Sequence, residues 1–383
     1  MKLDTVVATP LEIPLRETFT HASASRSTSR TLWVKARAAS GATGHGEACP
    51  RTYVTGEDLD DAQAFVARHA AAWRRAIGDA AAVLDWGRRQ RAVVDAQPAA
   101  WAGVELALLD LCGRVSGRSV EALLGLPELR GRFRYTAVLG DSAPERFAAR
   151  LAHYRQAGFD HFKIKLSGDL ARDRAKIAAL VEAGVAPGQV RADANNFWRA
   201  PAAAIRHFAA LDWPFAAVEE ALQPGDRTGL GVLADWFAAH GGTRIVLDES
   251  VSRAAQLAAY AARPERWLVN LRVSKMGGLA RSLEVLARAR ELGLRLIVGA
   301  HVGETSLLTR AGLCVAAAAG DLLVAQEGAF GTHLLARDVT GSPLMFGPGG
   351  VLDVVRAGLE PAGLGLRVPP VTAMTALSDR TTS

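Results

Sequence analysis

The chain has 383 residues, 49% hydrophobic and 22% charged, a globular balance that excludes a mainly disordered protein and has room for one large α/β unit with an appended domain. Its formal charge of +6 is spread without a basic run or interleaved aromatic stripe, so there is no nucleic-acid footprint, although a small anionic substrate is compatible with it. Three widely spaced cysteines, Cys49, Cys112 and Cys314, indicate neither a disulfide framework nor a thiolate metal site, and no apolar run reaches the ~18 residues of a membrane span or resembles a signal peptide. A cytoplasmic protein, without membrane or nucleic-acid partners, is the expectation.

Taken in chain order, Val6 to Pro14 and Thr31 to Ala39 are β-rich runs. The Ser/Thr-rich stretch between them, Thr18 to Arg30, reads as a mobile loop. From Leu59 to about Val115 apolar residues recur at helical spacing (Ala62, Phe65, Val66, then Val104, Ala107, Leu108, Leu111), and Gly117 is a natural stop. Residues 1–125 are therefore expected to form an α+β domain. A rhythm follows in which short apolar or β-branched runs alternate with polar loops and alanine-rich amphipathic helices. The strand ends fall at Leu139, Lys165, Asp193, Glu219, Asp248, Arg272, His301 and Glu327, with intervals of 24 to 29 residues. Each interval holds one loop, one helix and one new strand, and eight ends in series is the count of a (β/α)8 barrel, here over residues 126–335, with its last helices abbreviated. A doubly wound sheet shows the same alternation. What separates the two is that ionisable residues stand at strand ends all round the series, where a closed barrel gathers them at one mouth. Residues 336–383 become Gly/Pro-rich and are expected to return to the first domain, ending in a frayed tail from Ser378 to Ser383.

Of 45 basic residues only six are lysines: Lys2, Lys35, Lys163, Lys165, Lys176 and Lys275. Arginine does not give up its proton near neutral pH, so a base has to remain lysine. Lys163 and Lys165, in HFKIKLSG, share one face of a strand, which points inward in a barrel. Two buried like charges at i and i+2 each disfavour protonation of the other, and burial acts in the same direction, which is one route to a lysine base. The alternative is a solvated edge strand with alternating lysines. Asp193 in RADANNFW, Glu219 in AVEEAL and Asp248 in IVLDES each follow an apolar run, so their carboxylates project from strand ends toward one mouth. Converging carboxylates repel unless a cation joins them, and an all-oxygen set suits a hard octahedral ion, Mg²⁺ before Mn²⁺. Helix N-caps are the competing explanation for any one of the three.

In order and spacing, KIK, DAN, the Glu pair EE, DES and a strand entering SKMGG resemble the enolase superfamily, specifically its muconate lactonizing enzyme subgroup, also called the mandelate racemase/muconate lactonizing enzyme family. The segment GHGEACPRTYVTGED is similar to that subgroup's capping domain. The resemblance implies a modified (β/α)8 barrel with an α+β capping domain, a homo-oligomer, and removal of a proton α to the carboxylate of a small substrate. Asp193, Glu219 and Asp248 then match the Mg²⁺ ligands, Lys165 the general base and Lys163 its tuning partner. Asn195 matches a polar residue near the metal, and Glu304 in HVGETS a mouth-facing acid used as proton donor or substrate contact.

Two positions depart from the family pattern. Ala221 follows the Glu pair where the family has proline. More important, Arg272 occupies the place of the second lysine of racemases and epimerases, while Lys275, three residues on, reads as a loop cation available to substrate. One-base chemistry survives that loss, so cycloisomerisation (lactonisation or delactonisation) or β-elimination is the leading expectation, with Arg272 holding enolate charge or a second carboxylate. A racemase or epimerase pairing Lys165 with His301 is the alternative, since His301 falls where mandelate racemase relatives place a catalytic histidine. A non-catalytic binding protein of enolase type is the third reading. The Asp-x-Asp with which dipeptide epimerases of this subgroup bind an ammonium group after the last strand is replaced here by a sequence starting Gln326, Glu327, Gly328, which weakens that assignment.

Overall fold

The computed structural model describes residues 1–21 and 24–369. Strands β1 (Leu3–His21), β2 (Ala24–Ala38) and β3 (Thr43–Ala48) form an antiparallel sheet in the order β1-β2-β3. One face packs on the long helix Pro98–Ser116, whose residues are buried from Pro98 to Gly113. Strand β3 approaches that helix so closely that only glycine fits at two positions: a Cβ on Gly44 would lie 2.2 Å from the Ala107 carbonyl oxygen, and one on Gly46 would lie 2.1 Å from that of Gly103. Helices Leu59–Ala76, Ala80–Arg89 and Arg91–Ala96 complete the domain, and the long helix ends at Gly117 in the left-handed conformation, where the sequence places the stop.

The Ser/Thr-rich stretch is not the loop expected from its composition. Among the described residues, β1 continues to His21 and β2 starts at Ala24, with Phe19 opposite Arg26 and Thr20 opposite Ser25 after a register irregularity beyond Pro14. An antiparallel ladder is built from backbone groups, so small polar side chains do not prevent it where the strands need not bury both faces. This hairpin arm is stitched to the segment that ends the barrel: the Arg16 N–H donates to the Leu334 carbonyl (2.8 Å) and the Ala336 N–H to the Pro14 carbonyl (2.9 Å).

Beyond the short strand β4 (Arg132–Arg134) comes an eight-stranded parallel sheet with its strands in chain order: β5 (Ala137–Leu139), β6 (Phe162–Lys165), β7 (Val190–Asp193), β8 (Ala217–Glu219), β9 (Arg244–Leu247), β10 (Trp267–Leu271), β11 (Arg295–Val298) and β12 (Leu323–Gln326). The seam between β12 and β5 is bridged by the Thr136 N–H, which donates to the Gln326 carbonyl at 2.8 Å. This is the (β/α)8-type arrangement with an α+β cap, rather than a doubly wound sheet. The strands end within three residues of the positions read from the sequence. Abbreviation of the helices is uneven: 3-10 turns replace the helix after β9 and after β12, but β11 is followed by a full helix, Ser306–Ala319. The last segment returns as expected: β13 (Val351–Asp353) pairs with β4, the Leu364 N–H donates to Asp110 on the long helix (2.7 Å), and the Val120 N–H donates to the Gly363 carbonyl (2.9 Å). The expected frayed tail lies outside the described residues.

Candidate active site

Strand register sets the site. Lys165 lies opposite Asp193, and Asp193 opposite Glu219, so three successive strands bring a base and two acids to one level of the barrel mouth. Asp248 stands one residue beyond β9. Lys163, two residues before Lys165, projects to the same interior: its Nζ donates to Glu219 Oε2 (2.8 Å) and Glu327 Oε2 (3.1 Å) and lies 3.3 Å from Asp193 Oδ2. Lys165 Nζ is held by Asp193 Oδ2 at 3.1 Å and by Asn195 Oδ1 at 2.8 Å. Asn195 reaches that position from a left-handed backbone (φ 46°), and its amide nitrogen donates to Asp193 Oδ1 at 2.8 Å. A short polar side chain tolerates this conformation better than most.

The remaining cations are placed by the acids. Arg272 donates to Asp248 and lies 3.6 Å from Glu219 Oε1. Lys275, expected to meet substrate, is instead turned into the fold and fully buried. Its Nζ donates to the Asp248 carbonyl (2.6 Å), Asp248 Oδ1 (2.8 Å) and the Asn270 carbonyl (2.7 Å). It sits on the short helix Val273–Met276, and with three donors satisfied it positions Asp248 rather than reaching the cavity. Arg191, two residues before Asp193 and so on the same inner face, donates to Glu327 Oε1 (2.7 Å) and Thr136 Oγ1 (3.0 Å).

The protonation balance differs from the sequence expectation at Lys163. Burial pulls its ammonium down, but the carboxylates of Glu219, Glu327 and Asp193 outweigh burial and hold it well above the ordinary lysine value. Asp193 is also buried, yet Lys165 and Lys163 bring it below the usual carboxylate range. Asp248 is lowered by Arg272 and Lys275 against the same burial. Glu219 is pushed up to about 8, by burial first and then by Asp193, Asp248 and Glu327, with Lys163 opposing. These residues could hold a hard divalent ion. The donors are all carboxylate oxygens, and a cationic nitrogen already lies between each neighbouring pair of acids, Lys163 between Asp193 and Glu219 and Arg272 between Glu219 and Asp248.

The mouth opens into a cavity of about 1190 Å³ lined by Lys163, Lys165, Asp193, Asn195, Arg272, His301, Glu304 and Glu327. It is also lined by the apolar Leu139, Phe147, Phe159, Phe330 and Phe346, and by Glu17 of the hairpin arm, which pairs with Arg146 and Arg150. His301 and Glu304 meet across one turn of loop: Glu304 Oε1 accepts from the His301 backbone N–H (2.7 Å) and lies 3.1 Å from His301 Nδ1. Burial raises Glu304 to about 8; the His301 N–H acts against it, Glu47 adds to it, and Arg272 and Arg51 oppose it. Glu304 is thus no helix cap; Thr305 takes that place, its hydroxyl accepting from the Leu307 N–H.

Sequence reasoning missed Glu249 and Arg191. Glu249 lines the cavity beside Arg272, and its carboxyl is raised to about 8 by burial and by Asp248. It follows a strand-end acid directly, which reads as the back of a strand, but the strand stops at Leu247 and the turn brings both acids to the mouth. Arg191 carried a signal: it stands two before Asp193, as Lys163 stands two before Lys165.

A parallel eight-stranded barrel with an antiparallel cap and a lysine pair facing three strand-end acids defines an enolase-type fold. Residues 3–125 match the family described as Mandelate racemase / muconate lactonizing enzyme, N-terminal domain, and residues 146–369 match Enolase C-terminal domain-like; the chain belongs to this mandelate racemase/muconate lactonizing enzyme family of the enolase superfamily. It is 28% identical over 313 residues to the L-Ala-D/L-Glu epimerase of Bacillus subtilis (strain 168), covering 80% of this chain and 82% of that protein. The crystal structure of the dipeptide epimerase from Enterococcus faecalis V583 complexed with Mg and dipeptide L-Leu-L-Tyr is similar over 96% of this chain and 100% of that one (TM-score 0.80, 24% identity). The 2-chloromuconate cycloisomerase of Rhodococcus opacus 1CP has the same fold over 96% of this chain and 97% of that one (TM-score 0.83, 23% identity). No helix among the described residues is long and apolar enough to cross a membrane.

Proposed function

We propose that this chain is a racemase or epimerase that exchanges the proton α to the carboxylate of a small amino-acid-derived substrate, with Lys165 and His301 on opposite faces of the reacting carbon. The observation that carries the reading is the His301–Glu304 pair on the wall of the cavity that also holds Lys165. Arg272 does not exchange protons, so a second base has to come from elsewhere, and an imidazole whose Nδ1 is oriented by a carboxyl meets that need. The names of several similar relatives, among them an epimerase acting on L-Ala-D/L-Glu and an N-succinyl-L-Arg/Lys racemase, support this over cycloisomerisation.

Asp193, Glu219 and Asp248 would hold Mg²⁺, or Mn²⁺ in its place, which when bound supplies positive charge to the substrate carboxylate and so stabilises the enediolate. The protein side chains do the rest. Lys165 takes or returns the proton on one face, kept in place by Asp193 and Asn195. Lys163 keeps the acids neutralised beneath it, and His301 serves the other face. Both Glu327 oxygens are engaged, one by Arg191 and one by Lys163, so this position is poorly disposed to hold a substrate ammonium and an N-blocked substrate is favoured.

Cycloisomerisation is retained as a second reading because of one observation: Arg272 at the mouth provides fixed positive charge where the second base would stand. Proton NMR in D₂O with the separate enantiomers of a panel of N-blocked amino acids distinguishes the two. The expected result is deuterium entering both enantiomers, with His301→Asn abolishing exchange from one of them and sparing the other. Exchange from a single enantiomer in the unmodified protein would exclude racemisation.

A further inference from the structure

A second cluster of ligating side chains lies across the junction of cap and barrel, and it shares His301 and Glu304 with the site described above. One ligand atom each from Cys49, His301 and Glu304 lie within 4.8 Å of one another. Strand parity explains how a cap residue reaches a barrel loop. Gly44, Gly46 and Ala48 face the long helix, so Glu47 faces the other way, toward the barrel, and Cys49 follows directly after the strand ends. The same strand is fastened to that loop by Glu47, whose carboxylate accepts from the Thr305 N–H (3.0 Å) and hydroxyl (2.7 Å). The Cys49 N–H donates to Ser274 Oγ at 2.9 Å, and the Arg51 guanidinium donates to the Val302 carbonyl at 3.2 Å. The three side chains are therefore held together from both domains before any ligand arrives.

We propose that Cys49, His301 and Glu304 form a binding site for a borderline-soft divalent cation of the Zn²⁺ or Co²⁺ type, separate from the three-carboxylate cluster. Sulfur, imidazole nitrogen and carboxylate oxygen form the mixed donor set such ions select, whereas the all-oxygen cluster suits Mg²⁺, so the two sites divide cations by chemistry. Ligands at about 2.0–2.3 Å from a tetrahedral ion stand roughly 3.4–3.7 Å apart, so the longest separation here has to close by only about 1 Å. Three protein ligands leave one position open, and His301 and Glu304 both line the large cavity, which gives the ion its entry path. Glu47 adds negative charge beside Glu304, while Arg51 and Arg272 oppose the ion. Because His301 becomes a ligand, occupancy removes it from proton transfer while the Mg²⁺ ligands stay untouched. Chain spacing carries no hint of this site, because its members come from opposite ends of the sequence.

The test is titration of the full chain, saturated with Mg²⁺, with Co²⁺ alone and no substrate, followed by absorption spectroscopy, so it reads metal binding independently of the racemase reading. The expected result is a thiolate-to-cobalt charge-transfer band with visible bands of a four-coordinate ion, saturating at one equivalent and bleached by Zn²⁺. Cys49→Ala should remove the charge-transfer band. Glu304→Gln, which keeps the thiol, should weaken Co²⁺ binding at least tenfold, and circular dichroism checks that both variants are folded. Absence of the band in the unmodified chain, a band that persists in Cys49→Ala, or unchanged affinity in folded Glu304→Gln would each overturn the site.

Discussion

The wall of the barrel mouth built by β6 to β8 carries its chemistry on the strands themselves, with Lys163, Lys165, Asp193 and Glu219 held in register by backbone pairing. The wall built by β10 to β12 carries its own one to six residues past the strand ends, on Arg272, His301, Glu304 and Glu327. On the first wall, opposite charges are interleaved at about 3 Å and their order follows from the alternation of a strand. On the second, position depends on loop conformation and on the cap, which reaches over to bind Thr305 through Glu47. The first wall therefore favours a fixed half-reaction, and the second is where members of one fold would diverge.

The sharpest way to break this contrast is to remove the base proposed for the strand-borne wall. Lys165→Ala should lower α-proton exchange by on the order of 10³-fold for the enantiomer whose proton faces Lys165 and spare the other, the mirror image of His301→Asn, measured by NMR in D₂O. Undiminished exchange from both enantiomers would dissolve the distinction between the walls. Next, exhaustive chelation should abolish turnover, and added Mg²⁺ should restore it, assayed by polarimetry on the same substrate; activity that persists without metal would remove the carboxylate cluster from the chemistry.

A smaller effect concerns the cap. Burial pushes Glu47 and Glu57 up to about 7 and Glu105 up to about 8, from an ordinary 4.5. An acid whose folded value is raised binds its proton more tightly when folded, so its stabilising contribution is complete below about 4.5 and is lost as pH rises through 7 to 8. Urea unfolding at pH 9 should therefore show a lower midpoint than at pH 6, by at least about 1 kcal/mol in stability; an unchanged midpoint would show that these acids are ionised in the folded chain. The smallest effect is expected at the rim. Glu17 is half exposed where it meets Arg150, so Glu17→Ala should cost less than about 1 kcal/mol by thermal melting.

Legibility in the sequence follows the same division. The barrel was readable because each βα unit repeats, and the acids were readable because a strand end following an apolar run has one direction to point. The hairpin arm is not, because the polarity of its Ser and Thr residues signals a loop while the ladder is made by backbone groups. Lys275 was misplaced because a short helix starts at Val273, which replaces strand parity with a turn that buries the ammonium under Asp248. The partnership of His301 with Glu304 depends on loop geometry that no periodicity encodes.

Arg191 has a consequence for how the molecule fails. It ties Thr136, at the start of the first barrel strand, to Glu327, just past the last, and Glu327 in turn fixes Lys163. The place where the cylinder closes is thus also a support of its working groups. Loosening there would silence the enzyme while most of its secondary structure is intact, so loss of activity on heating would run ahead of loss of ellipticity, and a weakened seam would register as inactivation rather than as aggregation.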